Sequence, residues 1–381
     1  MAVGAGHGGA ALLRRSRNLH CRASPLLSPP PAAAAKRTSP SKPEWAGDAV
    51  LSKLVNALIA TPGLYDLMKV GARQTMIQTA EKNGVAWRGT VAALEESLDR
   101  LDRLRWLLTD ASIEANGYPD YYTQPFHAYA EGNLNWLAAQ EAEPATYAMA
   151  LRVWPTDVKA GTLSWQAAQQ RLRDSYVDAL RSYMSTVGTS ADKLEHVLDV
   201  GCSVGVSTRS LSAAFPGATR VTGMDLSPYM LAVAAARDED VPAPSGQTRI
   251  WRHGFAEDTG FEDSSIDLFS ASFLFHELPQ APARAVMAEA ARVLRPGGVF
   301  AMTDNNPGSA VIQGLPPAIF TLMKSTEPHS DAYYAFDVEA ALAEAGFTDI
   351  VTVETDPRHR AVFGIKGRGT RDELSRKSIA A

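Results

Sequence analysis

Two hydrophobic periods divide the chain. From Trp45 to about Gly188, apolar residues recur at helical spacing. In "TVAALEESLDRLDRLRWLLTD", Leu94, Leu98, Leu101, Leu104 and Leu108 stand three or four apart, which puts them on one face of a helix. "LSWQAAQQRLRDSYVDALRSYM" repeats the pattern with Leu163, Ala167, Leu172, Tyr176, Leu180 and Tyr183. No run of strand-like alternation interrupts this region. It predicts an all-helical N-terminal domain over residues 44–188, with about five or six helices. After "GTSADKLE" the period shortens. His196–Val200, Arg220–Asp225, Arg249–His253, Ile266–Phe273 and Val299–Asp304 read as short apolar strands. Ser207–Ala214, Tyr229–Arg237 and Ala281–Leu294 read as helices between them. Alternating strands and helices predict an α/β fold with a Rossmann-like, doubly wound, mostly parallel sheet. Asp349–Glu354 and Arg360–Ile365, joined by "TDPRH", predict an antiparallel hairpin at its C-terminal end. The sheet domain is expected over 189–367, with a polar tail over 368–381.

The turn after the first strand carries the chemistry. "HVLDVGCSVGVSTRS" runs from strand to glycine-rich turn to helix, an arrangement that presents backbone N–H groups to a nucleotide-like ligand. A dinucleotide site would show G-x-G-x-x-G. Starting from Gly201, the next two required glycines are Ser203 and Val206, so the close approach of a pyrophosphate is not provided for. What stands there is Gly201, Ser203 and Gly205. A nucleoside ligand without phosphates fits better. Asp225 closes the neighbouring strand 20 residues beyond Gly205, about where a ribose-binding acid stands in such folds.

These residues resemble a known family. "VLDVGCSVG" looks like the first motif of class I S-adenosylmethionine-dependent methyltransferases. "VTGMDLSPYMLAVA", "SSIDLFSASFLFHELP" and "RVLRPGGVFAM" resemble, in order, that family's second-strand, fourth-strand and fifth-strand segments. The resemblance is of the small-molecule, methyltransferase type 11-like kind and covers residues 193–367. It implies S-adenosyl-L-methionine as cofactor. It also implies a cofactor site built from Asp199, Gly201, Cys202, Ser203, Gly205, Asp225, Leu226, Phe255, Ala256 and Ser272. Asp225 would take the ribose diol, and Gly201 and Asp199 would serve the ammonium group. Phe255 replaces the family's usual acid before Ala256 and would stack on adenine, with Glu257 or Asp258 supplying the missing carboxylate. Asp199 has a bland alternative as a brace for the loop, and Asp225 as a helix N-cap. Cys202 reads as a small buried filler. In "LRPGG", Arg295 is expected in the last turn of a helix, with Gly297 and Gly298 turning the chain into the fifth strand.

Methyl transfer from a sulfonium needs mainly an aligned nucleophile. His276 is a candidate base near the methyl position, and packing beneath the site is its alternative. "YPDYYTQPFHAYAEGNLNW", residues 118–136, gathers Tyr118, Tyr121, Tyr122, Phe126, His127, Tyr129 and Trp136. Such rings suit either an acceptor pocket, with His127 or Tyr129 orienting the acceptor, or an ordinary interface. An aromatic or prenylated small-molecule acceptor is expected, or failing this segment a pocket built from 305–323. No metal is expected.

Composition narrows the setting. The 381 residues are 45% hydrophobic and 21% charged, and no apolar run of about 18 residues suggests a membrane span. A net charge of −5 offers no basic face for nucleic acid. Two cysteines, Cys21 and Cys202, make no disulfide framework. Residues 1–43 contain no acid and seven of the 37 basic residues, which leaves 30 against 42 acids, or −12, for the remainder. That Arg- and Ser-rich start reads as a disordered transit peptide, to a chloroplast or other plastid sooner than to a mitochondrion. Two other functions fit the same fold: aminopropyl transfer from the decarboxylated cofactor, or a non-catalytic cofactor-binding scaffold.

Overall fold

The structure, a computed structural model, describes residues 64–127, 129–316 and 326–367. The expected transit peptide and the C-terminal tail lie outside these residues. Seven helices are described before the first strand. They are α1 (Leu64–Lys82), α2 (Trp87–Glu95), α3 (Leu98–Leu108), α4 (Ala111–Asn116), α5 (Trp136–Leu151), α6 (Pro155–Lys159) and α7 (Trp165–Thr186). The leucine run predicted as one helix is therefore two, broken at Glu96–Ser97. Ser97 Oγ donates to the Ala93 carbonyl at 3.1 Å, a local bond that competes with helix continuation. The break lets Leu94 and Leu101 enter one core together.

Seven strands follow: β1 (His196–Val200), β2 (Arg220–Asp225), β3 (Thr248–His253), β4 (Ile266–Ser272), β5 (Leu294–Asn305), β6 (Phe347–Glu354) and β7 (His359–Lys366). Their order across the sheet is β3-β2-β1-β4-β5-β7-β6. The first five are parallel neighbours, and β7 runs antiparallel to both β5 and β6. The α/β sheet and its C-terminal hairpin are as the sequence predicts. Six further helices are described: α8 (Val206–Ala214), α9 (Pro228–Arg237), α10 (Gln280–Val293), α11 (Ala310–Gln313), α12 (Ser330–Tyr334) and α13 (Val338–Glu344). From β1 the chain moves one way to β2 and β3, then crosses to β4 on the other side. The crevice between β1 and β4 is thus the switch point where ligands bind in such sheets.

Strand alternation splits the core. Leu198 and Val200 of β1 face α10, meeting Val286, Met287 and Ala290. Val197 faces the other way, into a core that α7 closes with Tyr176, Leu180 and Met184. The N-terminal helices therefore cover the sheet directly. α2, α3 and α5 likewise pack Leu94, Leu101 and Ala139 against Val204, Met230 and Val233.

The "LRPGG" turn departs from expectation. Helix α10 stops at Val293, so Arg295 lies beyond it. Its guanidinium bonds Asp267 at 2.8 Å and Glu195 at 3.2 Å instead of the helix end. Gly298 is needed because a Cβ there would come within 2.9 Å of the Arg295 carbonyl.

Candidate active site

A cavity of about 600 Å³ opens at the switch point, a size usual for small-molecule sites. One wall is the turn after β1. Gly201, Ser203 and Gly205 all have positive φ, at +63°, +50° and +78°. The two glycines answer to neighbours in the fold. A Cβ on Gly201 would stand 2.8 Å from Leu274, and one on Gly205 would stand 2.2 Å from the Trp251 ring. Ser203 carries a side chain in the same left-handed region, a strain of about 1–3 kcal/mol that the site must hold in place. Its N–H donates to Asp225 Oδ2 at 2.7 Å, which fixes it.

Asp225 is half-buried against this turn and faces the cavity. Oδ1 accepts from Ser227 N–H at 2.8 Å. Ser227, not Asp225, caps α9, since its side chain accepts from Met230 N–H. A diol entering here meets a carboxylate that the Tyr122 side chain also bonds. Burial raises the Asp225 pKa, while the Ser227 and Ser203 N–H groups oppose that rise.

Asp199 is fully buried and lies off the cavity wall. Its Oδ2 accepts from Ser207 and Thr208 hydroxyls, each at 2.7 Å, and so braces the first turn of α8. Its Oδ1 has no hydrogen-bond partner among the described residues. Burial raises its pKa to about 6, against the pull of those hydroxyls and of Arg173. Cys202 donates its N–H to the Met224 carbonyl at 3.0 Å, and burial pushes its thiol well up, so it is no nucleophile. Leu226, Ala256 and Ser272 line the cavity, and the buried Ser272 hydroxyl has no partner among the described residues. Phe255 does not line it. It pairs with Asp258 in an isolated bridge, while Gly254, Ala256 and Glu257 form that part of the wall. Stacking by Phe255 on adenine is therefore not offered by this arrangement.

Arg173 on α7 was not singled out in the sequence, where it sits among ordinary helical charges. It is buried, it lines the cavity, and its Nε has no partner among the described residues. A guanidinium held there can receive a carboxylate, and with the Ser272 hydroxyl it suits the aminoacyl end of the cofactor.

The aromatic segment forms the opposite wall. Tyr121, Tyr122, His127, Tyr129 and Asn133 line the cavity. Trp136 instead packs edge-on against Tyr229, with centroids 4.9 Å apart. Tyr129 donates its hydroxyl to buried Glu141 at 2.6 Å, where Trp87 Nε1 also donates at 2.9 Å. That hydroxyl is spoken for and does not present itself to an acceptor. Tyr121 donates likewise to Glu257.

His276 is buried, with Nδ1 2.8 Å from Asp304 Oδ1. Burial works against its charge, but Asp304, with Glu327 and Glu277, outweighs burial and raises its pKa to about 10. Glu277 beside it also lines the cavity, and burial raises its carboxyl to about 7. The structure also brings His127, His276 and Glu327 together, a grouping that no sequence spacing signals.

Comparison with known proteins gives the family. The methyltransferase domain family matches residues 197–298. An uncharacterized methyltransferase of Synechocystis sp. is 34% identical over 154 residues, 40% of this chain and 67% of that protein. The chain belongs to the methyltransferase family. A demethylmenaquinone methyltransferase of Chlorobaculum tepidum is 35% identical over 147 residues, 37% of this chain and 54% of that protein. A solved phosphoethanolamine N-methyltransferase of Haemonchus contortus, in complex with S-adenosylhomocysteine, is 16% identical, covers 58% of this chain and 60% of its own, and has a TM-score of 0.39. Across eight of the curated relatives it matches, the chain spans from 29% to 67% of their lengths. The cofactor of this methyltransferase is S-adenosylmethionine. The residues present fit it: Asp225 for the diol, the Ala256–Glu257 wall for adenine, and the unpaired Ser272 hydroxyl and Arg173 for the aminoacyl end. Among the described residues no helix is long and apolar enough to cross a membrane.

Proposed function

We propose that this methyltransferase acts on a small aromatic or prenylated metabolite in plastids. The observation that carries the acceptor reading is the wall facing the cofactor turn, where Tyr121, Tyr122 and Tyr129 stand with the apolar side chains of Met149, Leu274 and Leu278. Such a surface accepts a flat ring and an apolar chain. A relative named for demethylmenaquinone, a quinone, is consistent with that ring. Bound cofactor supplies an activated methyl group. The chain's part is to hold the acceptor in line behind it and to exclude water. Glu277 lines this end and can take the acceptor's proton. Arg173 favours the intact cofactor over its decarboxylated form, whose lost carboxylate would leave this buried guanidinium without a ligand partner.

The plastid assignment rests on the acid-free, Arg- and Ser-rich residues 1–43. The test is incubation of the full chain with labelled cofactor and a panel of phenols, quinols and non-aromatic acids. Label entering ring-bearing acceptors supports the proposal. Label entering only the non-aromatic acids, or none with cofactor bound, overturns it. A fluorescent fusion of residues 1–43 that stays in the cytosol overturns the location.

A further inference from the structure

The acceptor end of the cavity gathers donors that methyl transfer alone does not require. One ligand atom each from His127, His276 and Glu327 lies within 4.8 Å of the other two. They come from three segments far apart in sequence: the aromatic wall, the turn after β4, and the turn before α12. Two of the three are clipped together, because His127 N–H donates to the Thr326 carbonyl at 2.9 Å. His127 is also held at φ +47°, a conformation that non-glycine residues rarely adopt and that clusters at functional sites.

Two of the three side chains have a supporting partner on their far side. Asp304 takes His276 through Nδ1 at 2.8 Å and through the backbone N–H at 3.1 Å. Nε2 is then the nitrogen left for a ligand. A carboxylate behind a histidine is the usual means of orienting a metal-bound imidazole. Glu327 Oε2 accepts from Ser330 Oγ at 2.8 Å, while Oε1 stands 3.7 Å from His127 Nε2. That distance is long for a hydrogen bond. Two ligands each about 2.1 Å from a tetrahedral ion stand about 3.4 Å apart, so this pair is nearly in place, and the His276 ligand atom lies within 4.8 Å of both.

We propose that His127, His276 and Glu327 form a site for one divalent transition-metal ion, with Asp304 as the residue that positions His276. Two imidazoles and one carboxylate suit zinc, cobalt, iron or manganese better than magnesium or calcium, which prefer all-oxygen sets. Three protein ligands leave positions open toward the cavity. An acceptor oxygen bound there would lose its proton more readily and would be fixed in line with the methyl group. That role rests on the acceptor reading above, whereas the metal site itself does not.

Cobalt(II) is the probe, because its visible absorption reports ligand geometry without any turnover. The full chain is stripped with chelator and titrated with cobalt, then with zinc as competitor. The expected result is one cobalt per chain, displaced by zinc. Binding should weaken at least 10-fold in His127→Ala and in Glu327→Gln, and about 10- to 100-fold in Asp304→Asn. Cofactor titration of each variant checks that the fold is intact. No cobalt retained by the parent, or equal retention by His127→Ala and Glu327→Gln, overturns the site and shows that the three groups only neutralise one another. Cobalt bound as expected without methyl transfer to any ring-bearing acceptor upholds the site and strikes the acceptor reading instead.

Discussion

Asp225 Oδ2 accepts the Ser203 backbone N–H at 2.7 Å, so the end of β2 holds the turn after β1 in its left-handed conformation. One carboxylate thus serves two ends, fixing the turn and facing the cavity. Asp225→Ala is expected to weaken cofactor binding by about 2–4 kcal/mol, since two charge-assisted hydrogen bonds to the ribose go with it. Calorimetric titration of the folded variant measures this. An unchanged dissociation constant would remove Asp225 from the site.

Arg173 gives a second prediction. Arg173→Met is expected to weaken S-adenosylmethionine binding by about 1.5–3 kcal/mol, the worth of hydrogen bonds to a charged group. Affinity for the decarboxylated analogue should hardly move. Equal losses for both ligands would mean that Arg173 serves the fold through its interaction with Asp199 and not the cofactor carboxylate.

Gly205 tests the packing of the turn. An alanine there must take φ near +78° and place its Cβ against Trp251. Strain and overpacking together are expected to cost about 2–5 kcal/mol. In a Trp251→Leu background the same change should cost less, because the steric share disappears. Thermal or denaturant unfolding of the four proteins reads the difference. An equal cost in both backgrounds would show that backbone strain alone demands the glycine.

Stability should carry the signature of His196. Its Nε2 lies 2.9 Å from Thr222 Oγ1, and burial, with the Arg220 guanidinium adding to it, lowers its pKa from 6.5 to about 4. The folded state therefore holds this imidazole neutral. Between those two values the unfolded chain binds the extra proton, so stability falls as pH drops from 6.5 toward 4. Buried acids such as Asp199 oppose this trend, so the comparison is with His196→Gln. The stability advantage of the parent over that variant should shrink across the window. A pH-independent difference would argue against the lowered value.

The sequence by itself determined the sheet. Alternation of short apolar runs with helices and the turn "TDPRH" were enough, because these patterns are local and β1 is buried along its whole length. Asp225 was legible for the same reason, since a fixed number of residues separates a turn from the end of the next strand. Tertiary structure alone decided what the glycines, Arg173 and Phe255 do. Gly205 answers to Trp251, 46 residues on, and Arg173 reaches the cavity only because α7 lies across the sheet. The grouping of His127, His276 and Glu327 was invisible for the same physical reason. Its members stand 149 and 51 residues apart, so no spacing on one helix or strand announces them, and only the packing of the aromatic wall against the turns after β4 and before α12 brings their ligand atoms together.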